Sequence, residues 1–103
     1  MRGDPHQGAY ASAKGGLWTM TRNLARTYAR QQIRVNYINP GWVASEYEVR
    51  QRREQGHPDG WLEEQGRNCP MGRLQTPEDT AQAVLFLASD DSSQITATRF
   101  NVD

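Results

Sequence analysis

Tyr10 and Lys14 stand four residues apart in the run Tyr10-Ala11-Ser12-Ala13-Lys14. On a helix that spacing puts both side chains on one face, one turn apart. A free phenol ionises near ~10 and is a poor acid or base at neutral pH. An ammonium beside a phenol stabilises the phenolate and lowers that value. A phenol tuned in this way can give a proton to a carbonyl oxygen or take one from an alcohol. The pair therefore carries the parts needed for reversible carbonyl reduction, although Tyr-x-x-x-Lys alone also describes an ordinary surface pair. Composition singles out the lysine. Eleven of the 12 basic residues are Arg, and Lys14 is the only ammonium side chain. Lys is a compact point charge on a flexible stem, unlike the planar fork of Arg.

Other reactive residue types read more plainly. Cys69 is the single cysteine, so no internal disulfide or Cys-based zinc cluster can form. His6 and His57 stand in no metal-ligand spacing, and no metal site is expected. His6 lies four residues before Tyr10 and reads as a loop histidine. Arg50, Arg52 and Arg53 read as a solvated face, with Glu46, Glu48 and Glu54 at hand to pair with them.

The elements that must position Tyr10 and Lys14 follow from periodicity. Residues 1–7 are polar and read as a loop. Ala13, Leu17, Met20, Leu24 and Tyr28 recur at steps of four and three, which predicts a helix over 8–31 with that stripe buried. Gly15 and Gly16 lie within it and would admit the close approach of a backbone or ligand. Trp18, Arg22, Arg26 and Arg30 form a second stripe, facing solvent or a second subunit. Ile33 to Ile38 is β-branched and aromatic and runs into Asn39-Pro40-Gly41, a strand that ends in a sharp turn. Helix, strand and Pro-Gly loop in that order suggest a parallel α/β sheet.

Residues 46–70 are dominated by Glu and Arg and broken by Gly56, Pro58 and Gly60. Two short helices are expected there, near 46–55 and 60–66. A polar, interrupted segment after a strand's carboxyl end can act as a mobile lid. Thr76-Pro77-Glu78-Asp79 predicts a helix start, with Thr76 as cap, Pro77 at the first turn and Asp79 three residues after the cap. Ala81, Val84, Leu85 and Ala88 would form its apolar face. Thr98, Phe100 and Val102 alternate with polar residues and predict a final strand.

Composition bounds the function classes. Only 36% of the residues are hydrophobic, and Leu, Ile, Val and Phe make up fewer than one in five. That is short of core for an independent domain, while zero net charge argues against outright disorder. No apolar run approaches 18 residues, so no membrane span is expected. The start Met1-Arg2-Gly3-Asp4-Pro5 has no apolar stretch behind its charge and does not read as a secretory signal. Balanced charge disfavours nucleic acid as a partner. The expected location is the cytoplasm.

Four blocks in order resemble the short-chain dehydrogenase/reductase family. Tyr10-Ala11-Ser12-Ala13-Lys14-Gly15-Gly16-Leu17 resembles its active-site helix. Asn39-Pro40-Gly41-Trp42-Val43-Ala44-Ser45 resembles its Pro-Gly loop. Gly72-Arg73-Leu74 through Asp79, with Val84 to Asp90, resembles its last helix. Ile95-Thr96 with Phe100-Asn101-Val102-Asp103 resembles its closing strand. The resemblance covers nearly all of the chain after residue 7. It implies an α/β fold, the C-terminal portion of a Rossmann-type doubly wound parallel sheet, as one segment over 1–103. That segment divides into the active-site helix at 8–31, strand and Pro-Gly loop at 33–45, substrate lid at 46–70, and last helix and strand at 76–103.

The resemblance also implies roles. The activity would be NAD(P)-dependent interconversion of a small-molecule alcohol and ketone by hydride transfer. Tyr10 matches the catalytic acid/base and counts among the cofactor-binding residues too. Lys14 matches the residue that holds the nicotinamide ribose and tunes the tyrosine. Pro40, Gly41 and Val43 match the cofactor-side loop, where a backbone group meets the nicotinamide carboxamide. Ser45 stands where the family usually has Thr and keeps the hydroxyl that would bond the cofactor. Trp42 would line the substrate side. A homodimer or homotetramer through the 8–31 helix is implied as well.

The family's glycine-rich strand-turn-helix is not among the nine glycines, none of which makes G-x-G-x-x-G. That turn is the pyrophosphate site. The residue that selects NAD or NADP belongs to the same missing half, so the choice is not readable. The family's catalytic Ser also has no counterpart here. Two expectations follow. In one, the chain is the C-terminal part of an oxidoreductase, inactive by itself. In the other, it is a non-catalytic remnant or an interaction module that docks through its long helix.

Overall fold

A computed structural model describes residues 5–103. The loop expected over 1–7 therefore falls partly on 1–4, outside the described residues. The elements run α1 (Gly8–Tyr28), β1 (Tyr37–Pro40), α2 (Glu46–Glu54), α3 (Trp61–Arg67), α4 (Pro77–Ala88) and β2 (Arg99–Val102). Short 3-10 turns follow α1 at Ala29–Gln31 and α4 at Asp90–Ser92. The two strands pair in parallel, Tyr37 against Arg99 through Pro40 against Val102. A parallel pair needs a long crossover, and here it contains α2, α3 and α4.

β1 begins at Tyr37, four residues later than its apolar run predicts. Asn36 is the reason. Its amide nitrogen donates to the Ile95 carbonyl at 2.9 Å, and its side-chain oxygen accepts the Thr98 N–H at 3.2 Å. A side chain thus takes the place of one rung of the ladder. Just before it, Val35 accepts from the Ala97 N–H at 2.9 Å. Ala97 has φ 57°, a left-handed conformation that glycine adopts without strain.

The helices turn unexpected faces inward. On α1 the buried positions are Thr21 and Ala25, and Trp18 packs edge-on against Tyr37 with ring centroids 5.8 Å apart. The Arg99 guanidinium covers both rings, at 5.0 Å from Trp18 and 5.9 Å from Tyr37. The stripe predicted to be buried is largely exposed: Leu17, Met20 and Tyr28 are 41%, 50% and 41% accessible. Trp18, grouped with the outward arginines from sequence, is instead α1's anchor on the sheet. Gly15 and Gly16 have no atom within 4 Å of where a Cβ would stand. On α4 the buried residues are Ala83 and Leu87, whereas Val84 and Leu85 face out. Residues 83–88 are apolar on every side, so periodicity could not choose the face.

Among the described residues the core is correspondingly small: Ala25, Leu62, Leu74, Ala83 and Leu87. The Cα radius of gyration is 16.6 Å, against about 13 Å for a compact chain of this length.

Polar contacts brace both ends of α4. The capping box at α4 is present: Thr76 Oγ1 accepts the Asp79 N–H and Asp79 accepts the Thr76 N–H. Arg73 adds a two-pronged ion pair to Asp79 with a shortest distance of 2.6 Å. Arg73 first, and the Thr76 N–H after it, hold the Asp79 carboxyl well below the usual carboxylate range. A depressed folded-state value means this contribution is present at neutral pH and is lost progressively as pH falls below the ordinary carboxylate value of about 4. At the other end of α4, Arg34 donates to the Leu87 carbonyl at 2.8 Å, the Ser89 carbonyl at 3.3 Å and Ser92 Oγ at 2.9 Å. The two carbonyls are of the kind that a helix end leaves without an in-helix partner, and a cation there also meets the negative end of the helix dipole. Arg34→Met should therefore destabilise the chain by about 2 kcal/mol, in the range for charged hydrogen bonds. Urea unfolding followed by circular dichroism checks this, and an unchanged midpoint would remove Arg34 from the account.

Candidate active site

Helix α1 does what the spacing of its first turns requires. Lys14 Nζ lies 5.5 Å from the centre of the Tyr10 ring. Tyr10 is 60% accessible and Lys14 half-buried. Lys14 shares the inward line of α1 with Trp18, Thr21 and Ala25, at steps of four, three and four. The ammonium is thereby aimed by the same face that anchors the helix. The phenol, one turn earlier, stays exposed.

The second group follows the carboxyl end of β1. Gly41 donates its N–H to the Val102 carbonyl at 2.7 Å, and a Cβ on it would strike the Asp103 carboxylate and come within 2.8 Å of the Gln75 amide. The loop then pairs with Gln75: the Ala44 N–H donates to the Gln75 carbonyl at 2.8 Å, and the Gln75 N–H donates to the Trp42 carbonyl at 3.0 Å. Val43 sits at the centre of this parallel bridge. Its own N–H takes no partner among the described residues, while its carbonyl accepts from Ser45 at 2.9 Å. Ser45 caps α2, its Oγ accepting the Glu48 N–H at 3.2 Å. A hydroxyl that accepts in this way still has its proton to donate.

These two groups, Tyr10 with Lys14 and the loop from Pro40 to Ser45, occupy different elements. No hydrogen bond, ion pair or ring contact joins them among the described residues.

Trp42 turns toward the 46–70 segment. Its indole N–H donates to Glu48 Oε1 at 2.9 Å, and the same oxygen accepts the Arg52 Nε–H at 2.8 Å. The Trp42 bond, then the Arg52 bond, lower the Glu48 pKa. Trp61 meets Trp42 edge-on at 6.0 Å, and His57 stacks on Trp61 at 4.0 Å. The Arg52 guanidinium lies 5.7 Å and 5.6 Å from the two indoles. Sequence reading placed Arg52 on a solvated face. The pairing with Glu48 was visible as an i, i+4 spacing, but the two indoles around the guanidinium come from other elements. Arg53 pairs with Asp59, at 3.4 Å, and not with one of the helix glutamates. Helix α3 closes the segment on residues 73–74, where a Cβ on Gly66 would stand 2.8 Å from the Leu74 nitrogen.

A cavity of about 610 Å³ lies between this segment and residues 72–76. Ala44, Trp61 and Leu74 are in its wall, and Tyr10 and Lys14 are not. Among the described residues no group of His, Cys, Asp and Glu could hold a metal ion, and no helix is long and apolar enough to cross a membrane.

Comparison with known proteins identifies the family. A family model described as enoyl-(acyl carrier protein) reductase matches residues 1–103. The chain belongs to the short-chain dehydrogenase/reductase family, and its parallel α/β unit is a C-terminal portion of that Rossmann-type fold. Among its relatives, 3-oxoacyl-[acyl-carrier-protein] reductase FabG of Chlamydia muridarum is 38% identical over 103 residues, covering 100% of this chain and 39% of the relative. An inactive 2-(S)-hydroxypropyl-CoM dehydrogenase 2 of Xanthobacter autotrophicus is 40% identical over 101 residues, covering 98% and 44%. An NADPH-bound short-chain oxidoreductase of Pseudomonas aeruginosa superposes with a TM-score of 0.81 at 35% identity, covering 95% of this chain and 38% of that one. The chain thus spans about two-fifths of the length of the curated relatives it matches.

Proposed function

We propose that this chain supplies the proton-transfer and nicotinamide-side parts of an NAD(P)-dependent oxidoreductase that interconverts an alcohol and a ketone. The observation that carries the reading is the Lys14 ammonium held 5.5 Å over the ring of an open Tyr10. In the reductive direction Tyr10 Oη gives its proton to the carbonyl oxygen; in the oxidative direction it takes one from the alcohol. Lys14 favours the phenolate left behind and offers donors to ribose hydroxyls. The Val43 N–H, without a partner among the described residues, suits a carboxamide oxygen, and the Ser45 hydroxyl keeps a proton to donate nearby. Pro40 fixes the entry to the loop, and Gly41 lets it pass close to Gln75 and Asp103. When bound, the dinucleotide supplies or accepts the hydride. These residues fit its nicotinamide end, and nothing among them chooses between NAD and NADP.

Residues 46–70 serve in this reading as the substrate lid, with Trp42 on the substrate side. Support comes from their position directly after the loop and from the indole pair that ties Trp42 to them. The substrate is a small-molecule alcohol or ketone, and the enzyme works in the cytoplasm. Ketone reduction by a chimera, in which a relative's glycine-rich half precedes these 103 residues, tests the reading through loss of reduced-nicotinamide absorbance. Absence of turnover with every alcohol and ketone in a broad panel would count against it.

The enzyme would be a homodimer or homotetramer through α1. The exposed line of Leu17, Met20 and Tyr28 supports this, since a two-fold contact places the same patch on both sides. Because Trp18 is committed to Tyr37, the outward residue to test is Met20. Met20→Glu should shift the sedimentation of the assembled form to the monomer while leaving its circular dichroism unchanged. An assembly of unchanged size would exclude this helix as the interface.

A further inference from the structure

The cavity between the 46–70 segment and residues 72–76 is a second place with built chemistry. Its volume, about 610 Å³, falls in the range of small-molecule sites, roughly 300–1,000 Å³. Val49, Leu62 and Leu74 give it apolar surface, and Trp61 gives it an aromatic wall. That wall is set before any ligand arrives. Trp61 is held on one side by the His57 stack at 4.0 Å and on another by Trp42 and Arg52. A prearranged wall lowers the ordering cost of binding.

Arg52, Arg53, Arg67 and Arg73 also line the cavity, against two acids, Asp59 and Glu63. Two of these arginines are already committed to carboxylates that stand outside the wall. Arg52 is held by Glu48 at 2.8 Å and Arg73 by Asp79 at 2.6 Å. The other two are not. Arg67 makes no ion pair or side-chain hydrogen bond among the described residues. Arg53 has only Asp59, at 3.4 Å, with both side chains largely exposed. An exposed pair of that length contributes little, so a competing anion displaces Asp59 at small cost. The cavity therefore joins apolar and aromatic surface to two guanidiniums with donors to spare.

From this arrangement we propose that the cavity binds an organic carboxylate with an apolar body. The carboxylate head meets Arg53 and Arg67, whose forked donors match its two oxygens. The body lies on Trp61, Leu62 and Leu74. Tyr10 and Lys14 do not line the cavity, so this assignment stands or falls apart from the carbonyl chemistry.

Calorimetric titration of the full chain with 4-phenylbutyrate, 4-phenylbutanol and acetate tests it, with the Trp61 indole N–H resonance as a second readout. Phenylbutyrate should bind saturably and move that resonance. The alcohol and acetate should each bind at least roughly tenfold more weakly, because each lacks one of the two recognised parts. Arg67→Gln should weaken phenylbutyrate by roughly tenfold, and Asp59→Asn should tighten it by freeing Arg53. Equal binding of the alcohol would overturn the carboxylate assignment, and equal binding of acetate would overturn the apolar one. No saturable binding, or a loss of affinity in Asp59→Asn with its fold intact by circular dichroism, would overturn the site.

Discussion

Tyr10→Phe should lower carbonyl reduction by roughly 10²–10⁴ in a chimera that joins a relative's glycine-rich half to this chain. The size is that of general acid–base catalysis by a positioned side chain. The variant keeps the ring, and with it the surface on which the Lys14 ammonium rests at 5.5 Å, and removes only the hydroxyl. Tyr10 is 60% accessible and makes no hydrogen bond among the described residues, so no stability change should accompany the loss. The two readouts therefore separate chemistry from folding. Turnover should collapse while the unfolding midpoint stays near its starting value. Near-normal turnover in Tyr10→Phe would take the proton-transfer role away from this residue and leave the Tyr10–Lys14 pair as surface decoration of α1.

The second large effect concerns the 103 residues by themselves, which should show no measurable binding of NADH or NADPH and no carbonyl reduction. The groups available to a dinucleotide are those of its nicotinamide end: the Lys14 ammonium, the Val43 N–H and the Ser45 hydroxyl. The pyrophosphate carries the negative charge, and the cradle that suits it is a glycine turn at a helix N-terminus. No such turn occurs among the nine glycines of this chain. A carbonyl would also meet one donor, Tyr10, without the serine that the family places beside it, and each such donor is worth about 3 kcal/mol in related sites. Calorimetric titration with both reduced cofactors, beside an absorbance assay on several ketones, decides the matter. Saturable binding of either cofactor would mean that these residues build a phosphate site of their own.

Much of the local architecture was legible without coordinates. The Thr76-Pro77-Glu78-Asp79 start of α4 forms its capping box because cap and carboxylate are three residues apart, and covalent spacing alone brings them together. The same holds for Lys14 over the Tyr10 ring and for the break at Gly56-His57-Pro58 between two short helices. The family resemblance rested on such stretches, each short enough to be read along the chain.

What the tertiary structure decided is which faces meet. The most apolar stripe of α1 predicted burial of Leu17, Met20 and Tyr28, yet the sheet took Trp18, Thr21 and Ala25. An indole that reaches Tyr37, with Arg99 laid over both rings, took the inward position, and Leu17, Met20 and Tyr28 stayed exposed among the described residues. Strand β1 started four residues late because the Asn36 side chain found Ile95 and Thr98, some 60 positions away. Arg52 left the solvated face for the space between Trp42 and Trp61, and Arg34 closed the end of α4. Periodicity records how apolar each face of an element is. It carries no record of what stands opposite, and burial and charge pairing are properties of the two surfaces together.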